Sequence, residues 1–156
     1  ERLGADRWAN LIAAHAYYPG PAVIIDCGTA ITIDALDAAG RHLGGLIVPG
    51  IDLMSAALVG NAAGIELNEP GSQSVSLLGS STESAVAGGV LYTAVALVDR
   101  VCQDLRVELG KATSMLLTGG DAGRLLPLLD TRPRHDANLV LKGLSVFAKE
   151  SAECVI

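Results

Sequence analysis

The sequence predicts an α/β fold in which helices pack on a small β-sheet. Two observations lead to this prediction. The first is a β-branched run, Val23–Ile25, which two further strand-like segments follow after short turns. The second is a helical apolar periodicity before and after these strands. The predicted order is helix, three-strand antiparallel meander, helix, long helix, strand, helix, helix. A chain of 156 residues is long enough for a single domain, 1–156, with its own core.

The segment 3–7 leads into a first helix over residues 8–16, which carries one apolar stripe formed by Trp8, Leu11, Ile12 and His15. Asp6 stands at its start, where a carboxylate either caps the helix or points out of it. Arg7 beside it can hold an anionic ligand. On the residues alone, a helix cap and a solvated arginine are the simpler interpretation. The segment 17–21, Tyr-Tyr-Pro-Gly-Pro, ends the helix.

The segment 22–34 is the centre of the predicted fold. The run Val23–Ile25 is typical of a buried strand, and Asp26 follows where the run stops. Gly28 permits a tight turn, Thr29 offers a hydroxyl, and a second strand then resumes. Such a turn can present a carboxylate and a hydroxyl to a phosphate or to a bound cation. The alternative is a plain hairpin in which Asp26 caps its own turn.

The third strand is predicted over residues 42–50, where Gly44-Gly45 indicates a bulge or a close approach to a ligand. A short helix over 51–59 follows. Residues 60–79 are rich in Gly, Asn, Ser and Pro, which predicts a long functional or mobile loop.

The long helix is predicted to begin at the Ser-x-x-Glu capping box of residues 80–83 and to end at Leu109 before Gly110. Its apolar arc is broad, so we expect part of it to pack against another subunit or domain. A buried strand then runs into Gly119-Gly120 and a helix to about Leu129. This junction is either an anion-facing element or an ordinary strand-to-helix turn. Residues 130–136 are a predicted connection, and a terminal helix ends near residue 150.

Composition excludes several classes of protein. The net charge is −6 and no basic cluster is present, which argues against a nucleic-acid surface. We find no uninterrupted apolar run of membrane-spanning length and no signal peptide, so no membrane partner is expected. The three cysteines, Cys27, Cys102 and Cys154, fit neither a disulfide framework nor a zinc site. A reducing compartment, the cytoplasm, is therefore expected.

The order of these motifs resembles the C-terminal half of the type III pantothenate kinases, within the acetate and sugar kinase/Hsp70/actin superfamily. The resemblance spans nearly the whole chain and depends on the following segments: Gly4-Ala5-Asp6-Arg7, Asp26–Ala30, Gly44-Gly45 with Pro49-Gly50, Ser81-Thr82 with Ala85-Val86, Leu117–Gly120, and Leu139–Leu144. It implies an actin-like, ribonuclease H-like ATPase half-domain that consists of an antiparallel meander plus further strands flanked by helices.

The resemblance also implies an activity, the transfer of the ATP γ-phosphate to the primary hydroxyl of pantothenate. Asp6 matches the family's general base. Gly4, Ala5, Asp6 and Arg7 match its pantothenate-binding segment, in which Arg7 suits the substrate carboxylate. Gly28, Thr29, Gly119 and Gly120 match positions near ATP.

Cofactors and oligomeric state follow from the same resemblance. Asp26 matches the ligand of an activating monovalent cation (K⁺ or NH₄⁺), and Mg²⁺ accompanies the ATP. Thr82 matches a pantothenate contact supplied by the neighbouring subunit of a homodimer.

The chain departs from the family pattern in two places. The family's first phosphate-binding loop, an Asp-x-Gly-Asn-Thr/Ser motif in the N-terminal half, has no counterpart before Glu1, and 62–66 replaces the family's Thr-Ala-x-Leu-Pro pattern. We therefore expect a kinase that is incomplete without its N-terminal half. The alternative is a non-catalytic dimerising or regulatory module of the Bvg accessory factor type. A different kinase or phosphatase of the superfamily would explain Asp26 to Thr29 but not the segment Gly4 to Arg7.

Overall fold

In the computed structural model, helices cover both faces of a five-stranded mixed sheet, and residues 3–61 and 77–153 are described. The strands are β1 (Ala22–Cys27), β2 (Ala30–Leu36), β3 (His42–Pro49), β4 (Ser114–Thr118) and β5 (Arg134–His135). The helices are α1 (Ala5–Tyr17), α2 (Ile51–Asn61), α3 (Thr82–Leu109), α4 (Ala122–Leu125) and α5 (Leu139–Glu153). The predicted α/β class is thereby confirmed.

The strand order is β3-β2-β1-β4-β5. Strands β1, β2 and β3 form the predicted antiparallel meander, and β4 lies parallel to β1, which places Thr118 beside Asp26. Strand β5 was predicted as a connecting segment. It pairs with β4 through only Arg134 and His135, and two residues are too few to give a readable alternation.

The two faces of the sheet bury different helices, because successive side chains of a strand point to opposite sides. The face that carries Val23, Ile25 and Cys27 forms one core with the buried side of α3. The face that carries Ala22 and Ile24 forms a second core with α1 and the start of α5. Asp26 and Asp34 continue this second face by alternation, so α1 covers the polar part of the sheet.

Helices α1 and α5 approach closely at Gly143, where an added Cβ would collide with the carbonyl of Ala9. Trp8 and Phe147 meet edge to face with ring centroids 4.9 Å apart. A second contact anchors the other end of the pair. Asp136 accepts hydrogen bonds of 2.6 Å from both Tyr18 Oη and Lys142 Nζ. These contacts fix α1 over the sheet.

The start of α3 differs from the predicted capping box by one residue. Ser81 is the N-cap and its hydroxyl accepts from the backbone N–H of Ser84, while the Ser84 hydroxyl accepts from the Ser81 N–H. Ser84 thus takes the role expected of Glu83, because a serine at N3 reaches back just as a longer acceptor would. The predicted terminator Gly110 is confirmed as the C-cap.

Much of the apolar arc of α3 is covered by the chain itself. Within the described residues, α3 is the helix long and apolar enough to cross a membrane by length and composition. The sequence prediction had found no such segment. A core helix passes the same test, and the buried side of α3, which includes Val90, Val98 and Cys102, packs on the sheet. The sheet therefore covers part of the width of the arc.

Other predictions differ in detail. The helix expected to run to Leu129 is the short α4 followed by a 3₁₀ turn, Leu126–Leu128, because Pro127 cannot donate a helical hydrogen bond. Cys27 and Cys102 are buried free thiols. Cys154, most of the predicted loop 60–79 and the departure at 62–66 lie outside the described residues.

Candidate active site

The candidate site lies where the carboxyl ends of β1 and β4 meet. The two strands are parallel, with Asp26 opposite Thr118, and the backbone N–H of Asp121 donates 2.9 Å to the carbonyl of Cys27. Gly119 has φ +95°, and an added Cβ would lie 2.6 Å from Oδ1 of Asp26. Only glycine suits this position, because it meets both the positive φ and the close approach. Ligands of open α/β sheets bind at such strand ends.

The turn between β1 and β2 forms the next wall of the site. It is held by a hydrogen bond of 3.0 Å from the N–H of Gly28 to the carbonyl of Ala30. Gly50 reaches the turn from the end of β3, and its N–H donates 2.8 Å to the carbonyl of Thr29. An added Cβ at Gly50 would collide with the carbonyl of Gly28. The backbone of the turn is therefore fixed while the Thr29 side chain stays exposed.

Helix α1 brings Asp6 to the same end of the sheet. Asn10, which is 1% exposed, donates 2.8 Å from Nδ2 to Oδ2 of Asp26. Asp6 lies one turn earlier, and residues four apart share a helix face. Its carboxylate is exposed and accepts 2.8 Å from the N–H of Arg7. An exposed carboxylate thus stands next to a half-buried one.

The surroundings of the Asp26 carboxyl shift its pKa. Burial raises its pKa above the ordinary value, the negative charge of Asp6 adds to this rise, and the hydrogen bond from Asn10 opposes it. Burial, with the charges of Asp26 and Asp121, also raises the pKa of Cys27 to about 12. The thiol of Cys27 is therefore protonated at neutral pH and is not a nucleophile.

Arg7 is not a solvated arginine. Its Nε donates 2.8 Å to Oδ2 of Asp34, its Nη2 donates 2.5 Å to Oδ1, and His42 Nε2 lies 2.7 Å from the same Oδ1. The hydrogen bond to Asp34 raises the pKa of Arg7 above its ordinary value, and burial opposes this rise. The guanidinium is thus held on its Nε/Nη2 edge.

Gly44 and Gly45 show both features that the sequence left open. The pairing of β2 and β3 shifts its register between Ala35 and Leu36, next to Gly44, which is the expected bulge. Gly45 lies opposite Asp34, and an added Cβ would lie 2.7 Å from Nη2 of Arg7. The close approach at Gly45 is therefore to this ion pair.

A second ion pair lies at the start of α2 and α4. Arg124 Nη1 donates 2.9 Å to Asp52 Oδ1 and 3.0 Å to Asp121 Oδ1. The pair ties the first turn of α2 to the residue that follows Gly120. The two glycine-containing walls of the site are thus connected by side chains as well as by backbone.

Thr82 belongs to an element that carries none of these residues. It is exposed at the start of α3 and lines a groove of about 650 Å³ between α2 and α3. The groove is mostly apolar, and its lining includes Pro49, Met54, Leu58, Val86 and Thr93.

The structure therefore brings most of the predicted site residues to one end of the sheet. These are Asp6, Arg7, Asp26, Gly28, Thr29, Gly119 and Gly120, with Gly4 and Ala5 just before the first of them. The sequence analysis missed Asn10 and Asp34. A signal existed for Asn10, since a polar residue four positions after Asp6 shares its helix face. The partner of Asp34 is 27 residues away, and no local pattern indicates it.

Solved structures with a similar fold identify the fold of this chain. The chain aligns with an activator of 2-hydroxyisocaproyl-CoA dehydratase from Clostridium difficile, solved with bound ADPNP, at TM-score 0.51 and 16% identity over 97% of this chain and 69% of that one. A Campylobacter jejuni structure described as a Baf family transcriptional activator aligns at TM-score 0.68 and 27% identity, over 98% and 67%. The fold is the actin-like α/β fold, with a mixed sheet between helical layers.

The family follows from sequence. The type III pantothenate kinase family matches residues 1–104. A type III pantothenate kinase of Nitrosococcus oceani is 45% identical over 98% of this chain and 59% of its own length, and one of Parafrankia is 38% identical over 98% and 60%. This chain belongs to the type III pantothenate kinase family. It spans about three fifths of the length of the curated relatives it matches.

Proposed function

We propose that this chain carries the acceptor-side machinery of a pantothenate kinase. The enzyme transfers the γ-phosphate of ATP to the primary hydroxyl of pantothenate and yields 4′-phosphopantothenate and ADP, the first step of coenzyme A synthesis. The main support is the position of Asp6, exposed on α1 one turn before the residue that binds Asp26. Phosphoryl transfer asks a protein mainly for positioning and charge neutralisation, which suits a site built from carboxylates, glycine turns and an arginine.

In this mechanism Asp6 accepts the proton of the attacking hydroxyl. A new bond forms between the hydroxyl oxygen and the γ-phosphorus, the bond from this phosphorus to the β–γ bridging oxygen breaks, and ADP leaves. The carboxylate suits this role because it is exposed and, among the described residues, accepts a hydrogen bond only from the backbone N–H of Arg7. Gly4 and Ala5, exposed just before it, leave room for the substrate chain.

The nucleotide is proposed to bind between the two glycine turns. Gly28 with Thr29, and Gly119 with Gly120, face each other at the ends of adjacent strands. The proposed ATP contact from this turn is the hydroxyl of Thr29, a residue that is exposed. The solved relative with bound ADPNP has the same fold, which is consistent with this assignment.

Asp26 is the proposed ligand of a monovalent cation, K⁺ or NH₄⁺. Asn10 occupies its Oδ2, while Oδ1 faces the space that glycine leaves at position 119. A single carboxylate oxygen suits a singly charged cation, which would offset the negative charge at the site. The side chains that the structure describes include no cluster of three or more His, Cys, Asp or Glu that could hold a metal ion. We therefore propose that Mg²⁺ enters with ATP, held chiefly by the phosphates. The main phosphate loop is proposed to come from a segment outside this sequence.

We also propose a cytoplasmic homodimer with no nucleic-acid or membrane partner. The apolar groove between α2 and α3, which Thr82 helps to line, is the proposed subunit contact. Across it, Thr82 would reach the pantothenate site of the other subunit. The support is the apolar lining of the groove and the exposure of Thr82 within it.

The test is an assay of the full-length protein with ATP, Mg²⁺ and pantothenate, with KCl or with tetramethylammonium chloride. We expect a product whose mass exceeds that of pantothenate by one phosphoryl group, formed faster with KCl. If ADP forms without pantothenate phosphorylation, the proposal is wrong.

A further inference from the structure

The ion pair of Arg7 and Asp34 joins the start of α1 to the middle of β2. Both hydrogen bonds use one edge of the guanidinium, Nε with Nη2. The side chain of Asp34 is 4% exposed and that of Arg7 is 15% exposed, so the pair is largely shielded from water. A guanidinium can bind a carboxylate on either of two edges, and its donors stand in a rigid fork. Among the described residues, Nη1 of Arg7 has no hydrogen-bond partner.

Two further groups hold this arrangement. His42 Nε2 lies 2.7 Å from Oδ1 of Asp34, which fixes the carboxylate from the side of β3. Gly45 lies directly across from Asp34, and any side chain there would press on both members of the pair. The orientation of the Arg7 guanidinium is therefore set by three strand positions, Asp34, His42 and Gly45.

We propose that Asp34 is a positioning residue that determines the specificity for an acidic acceptor substrate. By occupying the Nε/Nη2 edge of Arg7, it directs the Nη1 edge to the carboxylate of the acceptor. This inference rests on the proposed function, in which Arg7 binds the carboxylate of pantothenate. The inference goes beyond the proposed function because it assigns the discrimination between acidic and uncharged acceptors to Asp34, a residue that does not touch the substrate.

The consequence is a discrimination that can be measured. An arginine held on one edge loses little side-chain conformational entropy when it binds a carboxylate on the other edge. Less of the free energy of binding the charged substrate is therefore lost to ordering the arginine. Pantothenol, in which a hydroxymethyl group replaces the carboxylate, leaves the Nη1 edge without its charged partner. Loosening Arg7 weakens the binding of pantothenate and leaves that of pantothenol nearly unchanged.

The experiment measures kcat/KM for pantothenate and for pantothenol in wild type, Asp34→Asn and the control Asp37→Asn. Asp37 lies on the same hairpin and pairs with the exposed Arg41. For Asp34→Asn we expect KM for pantothenate to rise about 10-fold or more, with kcat within about threefold and a matching fall in the ratio of the two kcat/KM values. Asp37→Asn should behave as wild type. A folded Asp34→Asn protein with an unchanged ratio overturns the inference, because a merely structural role lowers the melting temperature and leaves the discrimination intact.

A second pair guards against a variant that does not fold. Gly45→Ala displaces the ion pair without changing its charges, and Gly123→Ala is the control, since an added Cβ there meets no atom within 4 Å. Gly45→Ala should lower the same ratio and Gly123→Ala should not. The turnover of the two substrates by the wild-type protein is a further test. Equal use of pantothenol and pantothenate overturns the inference but leaves the kinase, whereas no turnover of either overturns the proposed function itself.

Discussion

The side-chain amide of Asn10 on α1 donates a hydrogen bond of 2.8 Å to Oδ2 of Asp26 at the end of β1. This bond couples the helix that begins with Asp6 to the strand that carries the proposed cation ligand. The amide oxygen of Asn10, Oδ1, is buried and has no hydrogen-bond partner among the described residues. A buried amide that is only half satisfied is unfavourable for folding alone, which points to a role in the site.

Replacing Asn10 should therefore weaken cation activation more than it weakens the fold. In Asn10→Ala, Asp26 loses the donor that orients it, and we expect the K⁺ concentration for half-maximal activity to rise about 10-fold, the effect of about 1.4 kcal/mol. Activity titrated with KCl at constant ionic strength measures this. An unchanged K⁺ requirement in this variant would contradict this role.

Gly119 should tolerate no side chain. Its φ of +95° and the contact of an added Cβ with Asp26 and Cys27 predict that Gly119→Ala destabilises the protein, by about 1–3 kcal/mol. In Gly123→Ala the new methyl group meets open space on α4, so stability should hold or rise by about 0.5–1 kcal/mol. Urea unfolding monitored by circular dichroism compares the two variants. Equal stability of the two alanine variants would mean that the Gly119 turn is not as close as described.

The raised pKa of Asp26 predicts a pH-dependent stability. Because the folded state holds this proton more tightly than the unfolded state, ionised Asp26 destabilises the fold. The loss appears as pH rises through the raised pKa and vanishes below the ordinary value of 3.8. In buffers free of K⁺, Asp26→Asn should be more stable than wild type at pH 7, and the difference should shrink as pH falls towards 4. Urea unfolding across this range measures it. If Asp26→Asn were the less stable protein at pH 7, the sign of the pKa shift would be wrong.

The proposed homodimer predicts complementation between inactive subunits. If Thr82 acts across the groove on the other subunit, a mixture of Asp6→Asn and Thr82→Val proteins forms some mixed dimers with one intact site. Unfolding and refolding the two together should restore activity to a fraction of wild type that neither variant shows alone. Thr93→Val, which removes the hydroxyl of another threonine that lines the groove, is the matched control and should stay active. No recovery from well-mixed dimers would place Thr82 in its own subunit's site or outside any site.

The elements near the site were predictable to different degrees. The meander was readable because Val23–Ile25 and the alternation after Ala30 give a clear period, and a glycine marks each turn. The start of α3 was misplaced by one residue, because two adjacent serines offer competing caps and only the extended backbone of Ser81 decides.

The site was predictable where a local motif carried it. Asp26 and Gly28 stand together in one turn, so their joint role could be inferred from the sequence. The bond between Arg7 and Asp34 could not, because it depends on α1 packing over the β2 strand. The sequence left Arg7 as a solvated residue or an anion ligand, and its packing shows a third situation, an arginine held on one edge by a buried carboxylate.

The most direct test of the proposed active site is the turnover of Asp6→Asn in the full-length protein, with saturating ATP, pantothenate and KCl. The substitution keeps the shape of the side chain and removes its ability to accept a proton. We predict a fall in kcat of about 100-fold or more, with a melting temperature close to that of wild type, since Asp6 is exposed on the first turn of α1. A variant that turns over within a few fold of wild type would contradict the assignment of Asp6 as the base, and with it the placement of the reaction at this end of the sheet.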